Sequence, residues 1–252
     1  MKFISNENSR LFRLCCGLVR VIPDGTVFPV FKGPLRGAKW IAGAAAGNGK
    51  GLSVLINHSE PEQLRVAREL MPTKGVCFDI GANVGLYTLL FALHSKRVFA
   101  FEPLPRNVGL LYRLICLNKL NNVEILPCAV SDATGLASFS EGSNCATGRL
   151  KKAGRLPVVT VTCDDVIQNF DVVPSLLKID VEGAEMQVLN GARKLLSSET
   201  KPVILLSTHG ESNRFACLSF LKDVGYSRFV PIDTARIEAA TEIAILPASA
   251  QP

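Results

Sequence analysis

Glycines and acidic residues follow two apolar runs that have the composition of buried strands. The first run ends in D-I-G-A-N-V-G over residues 79–85, and the second ends in F-E-P over residues 101–103. Glycine at positions 81 and 85 lets the backbone turn tightly and approach a ligand. The spacing D-x-G-x-x-x-G differs from the G-x-G-x-x-G that cradles a pyrophosphate, and Asp79 would repel phosphates. A carboxylate in such a turn suits a cationic or hydroxyl-bearing ligand instead.

Glu102 lies 17 residues beyond Gly85, about the distance at which an acidic side chain meets a ribose in nucleotide-binding folds. A carboxylate there accepts two hydrogen bonds from the 2′- and 3′-hydroxyls, and Pro103 fixes the turn around it. The third strand ends at Ser131 and Asp132, where a polar side chain can meet an adenine amino group. The pattern Ser-Asp-x-x-Gly is also ordinary turn chemistry. These positions predict a ligand that carries a nucleoside.

Two later strands end in residues that can accept a proton. Residues 177–185 read L-K-I-D-V-E-G-A-E, so Asp180 ends its strand and Glu182 follows on the same loop, whereas His209 ends the next strand. A base that removes a hydroxyl proton adds about two to four orders of magnitude to a rate. Each candidate also has a structural alternative: Asp180 bonded to loop amides, Glu182 capping the next helix, and His209 as a buried, hydrogen-bonded histidine.

The elements that must position these residues alternate along the chain. Strands are predicted over residues 75–80, 97–101, 123–130, 157–161, 176–180, 203–207, 226–230 and 242–246, and helices over residues 60–70, 84–94, 106–118, 164–170, 185–196 and 212–224. This alternation predicts a doubly wound α/β fold, in which helices cover both faces of a mostly parallel sheet. Ligands of such sheets bind at the carboxyl ends of the strands, where the candidate residues stand.

The N-terminal part of the chain differs from the rest in charge. Residues 1–50 carry eight Lys and Arg against two acidic residues, whereas residues 51–252 carry twenty of each sign. We predict an N-terminal extension over residues 1–58, with a basic helix near residues 9–20 and a β-hairpin region over residues 23–58, followed by one domain over residues 59–252. This basic helix either contacts a membrane surface or an acidic partner, or packs through its apolar side while its basic side faces solvent. We favour the second alternative.

Composition excludes several classes of protein. The chain of 252 residues is 48% hydrophobic and 20% charged, as is typical of globular proteins. No apolar run reaches the length of about 18 residues that is needed to cross a bilayer. Eight cysteines without a C-x-x-C pair indicate reduced thiols in a cytoplasmic protein, and three scattered histidines offer no H-x-x-x-H pair, so no metal is expected. Because the basic excess is confined to the first fifth of the chain, no nucleic-acid partner is expected.

The chain resembles the FkbM-type methyltransferases, which depend on S-adenosylmethionine and have the class I fold. The resemblance runs from about residue 59 to residue 247. It rests on F-D-I-G-A-N-V-G at 78–85, F-E-P at 101–103, A-V-S-D at 129–132, V-L-N-G-A at 188–192 and, most specifically, K-I-D-V-E-G-A-E at 178–185. It implies a seven-stranded sheet whose last strand, residues 242–246, is antiparallel. It also implies methyl transfer to a hydroxyl oxygen of a small molecule, a saccharide or a lipid-linked glycan.

The resemblance places the S-adenosylmethionine cofactor against one group of residues and the acceptor beside Asp180. The predicted cofactor-binding residues are Asp79, Gly81, Asn83, Gly85, Glu102, Ser131, Asp132 and Asp180. Carboxylates suit a positively charged sulfonium. Asp180, Glu182 and His209 are the predicted catalytic residues.

Three alternatives stay open at this point. Family members often carry a glutamate near position 207, where this chain has Ser207. This difference makes His209 the better local base. It also leaves open that the protein is a binding module without catalytic activity. An NAD-dependent oxidoreductase has the same type of fold, although the turn spacing and Asp79 count against it. A divalent metal held by Asp180, Glu182 and a neighbour would resemble the site of some catechol methyltransferases, and we do not expect one.

Overall fold

The structure, a computed structural model, describes residues 21–44, 51–141, 148–150 and 154–248. The chain divides into two compact units, Met1–Pro61 and Glu62–Pro252. The basic helix predicted near residues 9–20 lies outside the described residues. No helix within the described ranges is long and apolar enough to span a membrane.

The first unit contains the predicted hairpin. Strand β1 (Val27–Pro29) pairs antiparallel with β2 (Lys39–Ile41), and a 3-10 helix follows at Leu52–Ile56. The backbone amide of Phe31 donates to the carbonyl of Leu55, 2.8 Å away, which ties the hairpin to that helix. The side chain of Trp40 is fully buried and forms part of this unit's core.

The second unit alternates between strands and helices. Its elements are α1 (Pro61–Leu70), β3 (Val76–Ile80), α2 (Leu86–Ala92), β4 (Arg97–Phe101), α3 (Pro105–Leu117), β5 (Val123–Leu126), β6 (Ala129–Val130), β7 (Gly135–Ser140), β8 (Arg149–Leu150), β9 (Leu156–Val161), α4 (Cys163–Phe170), β10 (Leu176–Ile179), α5 (Glu185–Gly191), α6 (Arg193–Ser197), β11 (Val203–Ser207), α7 (Glu211–Asp223), β12 (Arg228–Pro231) and β13 (Glu242–Leu246).

Seven of these strands form the central sheet in the order β12-β13-β11-β10-β3-β4-β5. The strands from β11 to β5 are parallel, whereas β13 is antiparallel to both β11 and β12. The mostly parallel sheet with an antiparallel last strand is thus confirmed. Its central strands are apolar along their length because helices cover both faces. The rings of Phe78, Phe99 and Phe101 pack in the core with centroids 5.2 and 5.3 Å apart.

The prediction of a single strand over residues 123–130 was wrong. The strand breaks after Leu126, because Pro127 has no amide hydrogen to continue the ladder and the amide of Cys128 turns back to the carbonyl of Leu126 at 2.8 Å. Strand β6 then joins a second, four-stranded sheet of order β6-β9-β7-β8. Strand β7 was not predicted, because its residues are mostly small, polar or exposed and so show little alternation.

The helix predicted over residues 185–196 is also divided. It consists of α5 and α6, which meet at Gly191 and Ala192. At Gly191 a Cβ atom would lie 2.0 Å from the carbonyl oxygen of Ser131. The helix can therefore approach the loop after β6 only with glycine at this position.

Candidate active site

The loop that follows β3 rests on the ends of two neighbouring strands. The amides of Gly81 and Ala82 donate to the carbonyl of Phe101 at 3.0 and 2.9 Å. Gly81 has a φ of +83°, and a Cβ there would lie 1.9 Å from the carbonyl oxygen of Asp180. Glycine is therefore required for the contact that brings this turn against the loop after β10. The structure thus brings Gly81 and Asp180, which are 99 residues apart in sequence, into direct contact.

The Glu102 carboxylate is 5% exposed and already serves as an acceptor for the surrounding loops. It accepts hydrogen bonds from the amide of Asn83 at 2.8 Å, the amide of Leu104 at 2.9 Å and the side-chain amide of Asn107 at 3.3 Å. Burial raises the pKa of Glu102, and these hydrogen bonds work against that rise. An ionised carboxylate can accept about four hydrogen bonds, and three of these positions are occupied. About one ribose hydroxyl can therefore bind Glu102, whereas the sequence predicted hydrogen bonds from two.

Asn83 presents an acceptor beside Glu102. Its backbone is left-handed, with a φ of 50°, and its side-chain oxygen Oδ1 is buried without a hydrogen-bond partner among the described residues. A buried polar atom of this kind costs free energy unless a ligand supplies the missing hydrogen. An ammonium or hydroxyl group of a bound molecule would satisfy it, which fits the aminoacyl and ribose parts of S-adenosylmethionine.

Asp79 is buried within β3 and does not face open solvent, with 2% of its surface exposed. Its Oδ2 accepts the hydroxyl of Thr88 on α2 at 2.5 Å. Burial raises the pKa of Asp79 to about 6, against the Thr88 hydrogen bond and the charge of Lys178, which lower it. The carboxylate is thus mostly ionised at neutral pH and contributes negative charge beneath the turn.

Asp180, Glu182 and His209 meet at the carboxyl ends of β10 and β11. The Nε2 atom of His209 lies 3.9 Å from Oδ1 of Asp180 and 3.6 Å from Oε1 of Glu182. All three side chains are partly exposed. Glu182 has a left-handed backbone, with a φ of 55°, and its pKa is raised mainly by burial. The three predicted catalytic residues therefore form one cluster.

Glu185, which the sequence analysis did not select, fixes His209. Its side chain is fully buried, and its carboxylate accepts from Nδ1 of His209 at 2.9 Å, from the amide of Gly183 at 3.0 Å and from the side-chain amide of Asn213. Glu185 is part of the K-I-D-V-E-G-A-E string, and this was the feature of the sequence that could have identified it as a site residue. The sequence alone did not show that it turns inward from the first turn of α5.

The environment of His209 bears on its predicted role as a base near neutral pH, and that role stays a prediction. The hydrogen bond to Glu185 raises the pKa of His209 to about 9, and the charges of Glu182, Glu185 and Asp180 act in the same direction, whereas burial lowers it. The imidazole therefore holds a proton at neutral pH in this geometry. A protonated imidazole cannot accept a proton from a hydroxyl, so the proton acceptors of the cluster at that pH are its carboxylates.

A buried lysine connects the cluster to the centre of the sheet. Lys178 is 2% exposed, and its Nζ lies 3.4 Å from Oδ2 of Asp180 and 3.8 Å from Oε2 of Glu242. It also contacts the hydroxyl of Ser207, which donates to Oε2 of Glu242 at 2.9 Å. Because Ser207 and Glu242 are paired across β11 and β13, a carboxylate from the neighbouring strand stands beside the position where the resemblance implied a glutamate.

Ser131 and Asp132 follow β6, in the second sheet. Ser131 is buried and Asp132 is exposed, and the hydroxyl of Ser131 donates to Oδ1 of Asp132 at 3.1 Å. The amide of Ser131 donates to the carbonyl of Val161 at 2.9 Å, which fixes the loop against β9. The predicted contact of these residues with a cofactor stays a prediction.

Residues 79–228 match the methyltransferase FkbM domain. The chain belongs to this family. It is 28% identical over 144 residues to a protein named hexuronic acid methyltransferase AglP, from Haloferax volcanii, in an alignment that covers 55% of this chain and 59% of that relative. The chain therefore spans about three fifths of that relative. A second match is 25% identical over 194 residues to methyltransferase sdnD from Sordaria araneosa, and covers 62% of this chain and 75% of that protein.

A solved structure shows the same fold. The crystal structure of methyltransferase FkbM from Methylobacillus flagellatus aligns with a TM-score of 0.53 and 18% identity, over 81% of this chain and 56% of the other. The class I methyltransferase fold is thus confirmed. Membership of a methyltransferase family also separates the chain from the NAD-dependent oxidoreductases considered above.

Proposed function

We propose that this protein transfers a methyl group from S-adenosylmethionine to a hydroxyl oxygen of a saccharide or a related small molecule. The observation that carries the proposal is the meeting of Asp180, Glu182 and His209 beside the Gly81 turn, in a chain that belongs to a methyltransferase family. A sulfonium methyl donor bound at that turn would present its methyl group to an acceptor held by the cluster.

The predicted cofactor residues fit the methyl donor at several points. The unpaired Oδ1 of Asn83 can accept from its ammonium group, and Glu102 has space for a ribose hydroxyl. The carboxylates of Asp79 and Asp180 supply negative charge for a positively charged sulfonium. When bound, S-adenosylmethionine supplies an electrophilic methyl group.

The cluster would orient the acceptor and remove its proton. Methyl transfer is an in-line displacement, so most of the rate can come from holding the acceptor oxygen aligned. Because His209 holds a proton at neutral pH, the acceptor's proton would pass to Asp180 or Glu182. Burial raises the pKa of Glu182, which makes it a stronger base than an exposed carboxylate. The imidazolium of His209 can meanwhile donate a hydrogen bond to a carboxylate or a hydroxyl on the acceptor.

A saccharide acceptor is supported by the relative whose name gives a hexuronic acid as its acceptor. An acidic sugar would place a carboxylate near cations, and His209, Lys178 and Arg149 are cations of the described residues that act on the cluster. The proposed acceptors include a lipid-linked glycan, because only its sugar part would have to reach the cluster.

Binding measurements distinguish the proposal from its rivals. Isothermal titration of the full-length protein should show binding of S-adenosylmethionine and of its demethylated product, with no binding of NADH. Binding of NADH without S-adenosylmethionine would overturn the proposal. A screen with labelled methyl donor and a panel of uronic acids and neutral sugars then identifies the acceptor.

Asp180→Asn distinguishes an enzyme from a non-catalytic binding module. Removal of a proton acceptor should lower turnover about a hundredfold or more, while methyl-donor affinity changes much less. The matched control Asp223→Asn removes an exposed carboxylate at the end of α7 and should leave turnover unchanged. Equal turnover in Asp180→Asn and wild type would remove Asp180 from the chemistry.

A further inference from the structure

The positions of three side chains suggest a ligand that was not expected from the sequence. One ligand atom from each of Asp180, Glu182 and His209 lies within 4.8 Å of the others. The geometry points to a divalent metal site formed by Oδ1 of Asp180, Oε1 of Glu182 and Nε2 of His209. The site itself can be tested without the proposed function, and the inference rests on that function only for what the ion would do.

The distances between these atoms suit a shared ion better than direct hydrogen bonds. Nε2 of His209 lies 3.6 Å from the Glu182 oxygen and 3.9 Å from the Asp180 oxygen, and both values exceed the about 3.2 Å limit of an ordinary N–H···O bond. Two ligands bound to one ion at about 2.1 Å are about 3.0 Å apart at the 90° angle of octahedral coordination, the geometry of Mn²⁺. An inward movement of these partly exposed side chains would bring the three atoms to that separation.

Each of two ligands is oriented by a partner on its other polar atom. Nδ1 of His209 is bonded to the fully buried Glu185, so Nε2 faces the two carboxylates. Oδ2 of Asp180 faces the buried Lys178, so Oδ1 faces His209. A histidine whose second nitrogen donates to a carboxylate is the usual arrangement of metal-ligating histidines, because the partner fixes the ring and its tautomer.

The charges around the cluster also favour a cation. Three carboxylates, those of Asp180, Glu182 and Glu185, surround the imidazole. A bound divalent ion would displace the Nε2 proton that His209 holds without metal, because an imidazole nitrogen binds a metal only when deprotonated. Among the described residues, Lys178 and Arg149 are the other cations that act on the cluster. Two carboxylates and one imidazole suit a divalent first-row ion such as Mn²⁺, whereas Mg²⁺ prefers oxygen ligands alone.

Three protein ligands would leave coordination positions free on an ion of this class. An acceptor hydroxyl bound at such a position would lose its proton more readily, because the positive charge of the ion stabilises the resulting oxyanion. This chemistry would serve methyl transfer to oxygen under the proposed function.

A titration with Mn²⁺ tests the site directly. The full-length protein is treated with EDTA, freed of chelator and titrated with MnCl₂ while free Mn²⁺ is followed by electron paramagnetic resonance. We expect saturation at one ion per chain and, by electron spin echo spectroscopy, modulation from a directly bound ¹⁴N. Failure to saturate, or binding without the nitrogen signal, would overturn the inference.

Variants locate the ion. His209→Gln and Glu182→Gln should each weaken Mn²⁺ binding at least tenfold, and His209→Gln should lose the nitrogen signal. Glu185→Gln should weaken binding about tenfold, because it frees the ring of His209. The matched control Glu211→Gln changes an exposed glutamate nearby at the start of α7 and should bind Mn²⁺ as wild type does.

Two further controls separate the result of the Mn²⁺ titration from misfolding of a variant and from the proposed methyl transfer. Circular dichroism checks each variant, and Glu182→Gln, which changes a partly exposed loop side chain, decides the result if His209→Gln does not fold. Wild-type Mn²⁺ affinity in Glu182→Gln would contradict the inference. Because neither methyl donor nor acceptor is present, failure of the metal site and failure of methyl transfer are separate results.

Discussion

At the scale of single residues, Glu102 combines a structural and a binding role. Its carboxylate accepts three hydrogen bonds from the protein, and the remaining acceptor position is the one proposed for a ribose hydroxyl. Hydrogen bonds to a charged group contribute about 1.5–3 kcal/mol each. Loss of the carboxylate should therefore affect both methyl-donor affinity and stability.

We expect Glu102→Ala to weaken S-adenosylmethionine binding at least tenfold and to lower the free energy of unfolding by about 1–3 kcal/mol, because buried amides lose their acceptor. Glu102→Gln keeps one acceptor oxygen and should lose less stability while still binding weakly. Titration calorimetry and urea denaturation measure the two effects. The exposed Glu62→Gln on α1 is the control. An unchanged dissociation constant in a folded Glu102→Ala variant would remove Glu102 from the site.

Asp79 should make the folded protein less stable as the pH rises. An exposed carboxylate that is paired with a cation has the opposite effect. The pKa of Asp79 is about 6 in the folded protein, whereas an exposed aspartate has a pKa of 3.8. The folded state therefore binds the proton more tightly, and stability falls as the pH rises from about 4 to about 6. Above pH 6 the ionised carboxylate destabilises the fold by up to about 3 kcal/mol relative to a neutral group.

Asp79→Asn should remove this penalty. We expect the variant to be more stable than wild type at pH 7.5, with a gain that shrinks as the pH falls to 4.5, and to bind S-adenosylmethionine more weakly because negative charge is lost. Urea denaturation at both pH values, with the exposed Asp223→Asn as a control for lost charge, measures the effect. Lower stability of Asp79→Asn at pH 7.5 would show that Lys178 stabilises the carboxylate more than burial destabilises it.

At the scale of elements, the approach of α5 to the loop after β6 depends on one glycine. A Cβ at Gly191 would lie 2.0 Å from the carbonyl oxygen of Ser131, and backbone atoms cannot move as a flexible side chain can. Overpacking in a buried contact costs about 1–3 kcal/mol, and more where the backbone must shift. The contact also positions Ser131, one of the predicted cofactor residues.

Gly191→Ala should therefore lower the free energy of unfolding by at least about 2 kcal/mol. Gly109→Ala is the matched control, because Gly109 is an exposed residue within α3 and a Cβ there would meet nothing within 4 Å. That change should stabilise the protein by about 0.5–1 kcal/mol, since alanine is the better helix former. Equal effects of the two substitutions in chemical denaturation would contradict the close contact at Gly191.

At the scale of the whole molecule, all the candidate site residues belong to the unit Glu62–Pro252. That unit contains the complete seven-stranded sheet and every loop at its carboxyl edge. We propose that the boundary between the N-terminal extension and the FkbM-type domain lies near residues 58–61, in accordance with the change in composition along the chain. The extension would then contribute little to methyl-donor binding.

A chain of residues 59–252 should fold and bind S-adenosylmethionine with an affinity within about threefold of the full-length protein, which corresponds to less than about 0.7 kcal/mol. Circular dichroism and titration calorimetry measure both properties. A soluble, folded fragment that binds more than tenfold more weakly would show that residues 1–58 take part in the site.

The amino-acid sequence alone determined the order of the central-sheet strands and of the helices between them, because apolar runs and their turn residues are local signals. It also placed Asp180, Glu182 and His209 at strand ends, where the loops of a parallel sheet meet. It did not predict β7 or the break at Pro127. Only the tertiary structure decided that β6 leaves the central sheet, because that choice depends on pairing with the distant β9. The protonation of His209 and its distance from two carboxylates likewise depend on Glu185, which is buried by packing between α5 and α7. Sequence spacing does not measure burial or distance, and these two quantities decide what the cluster can bind.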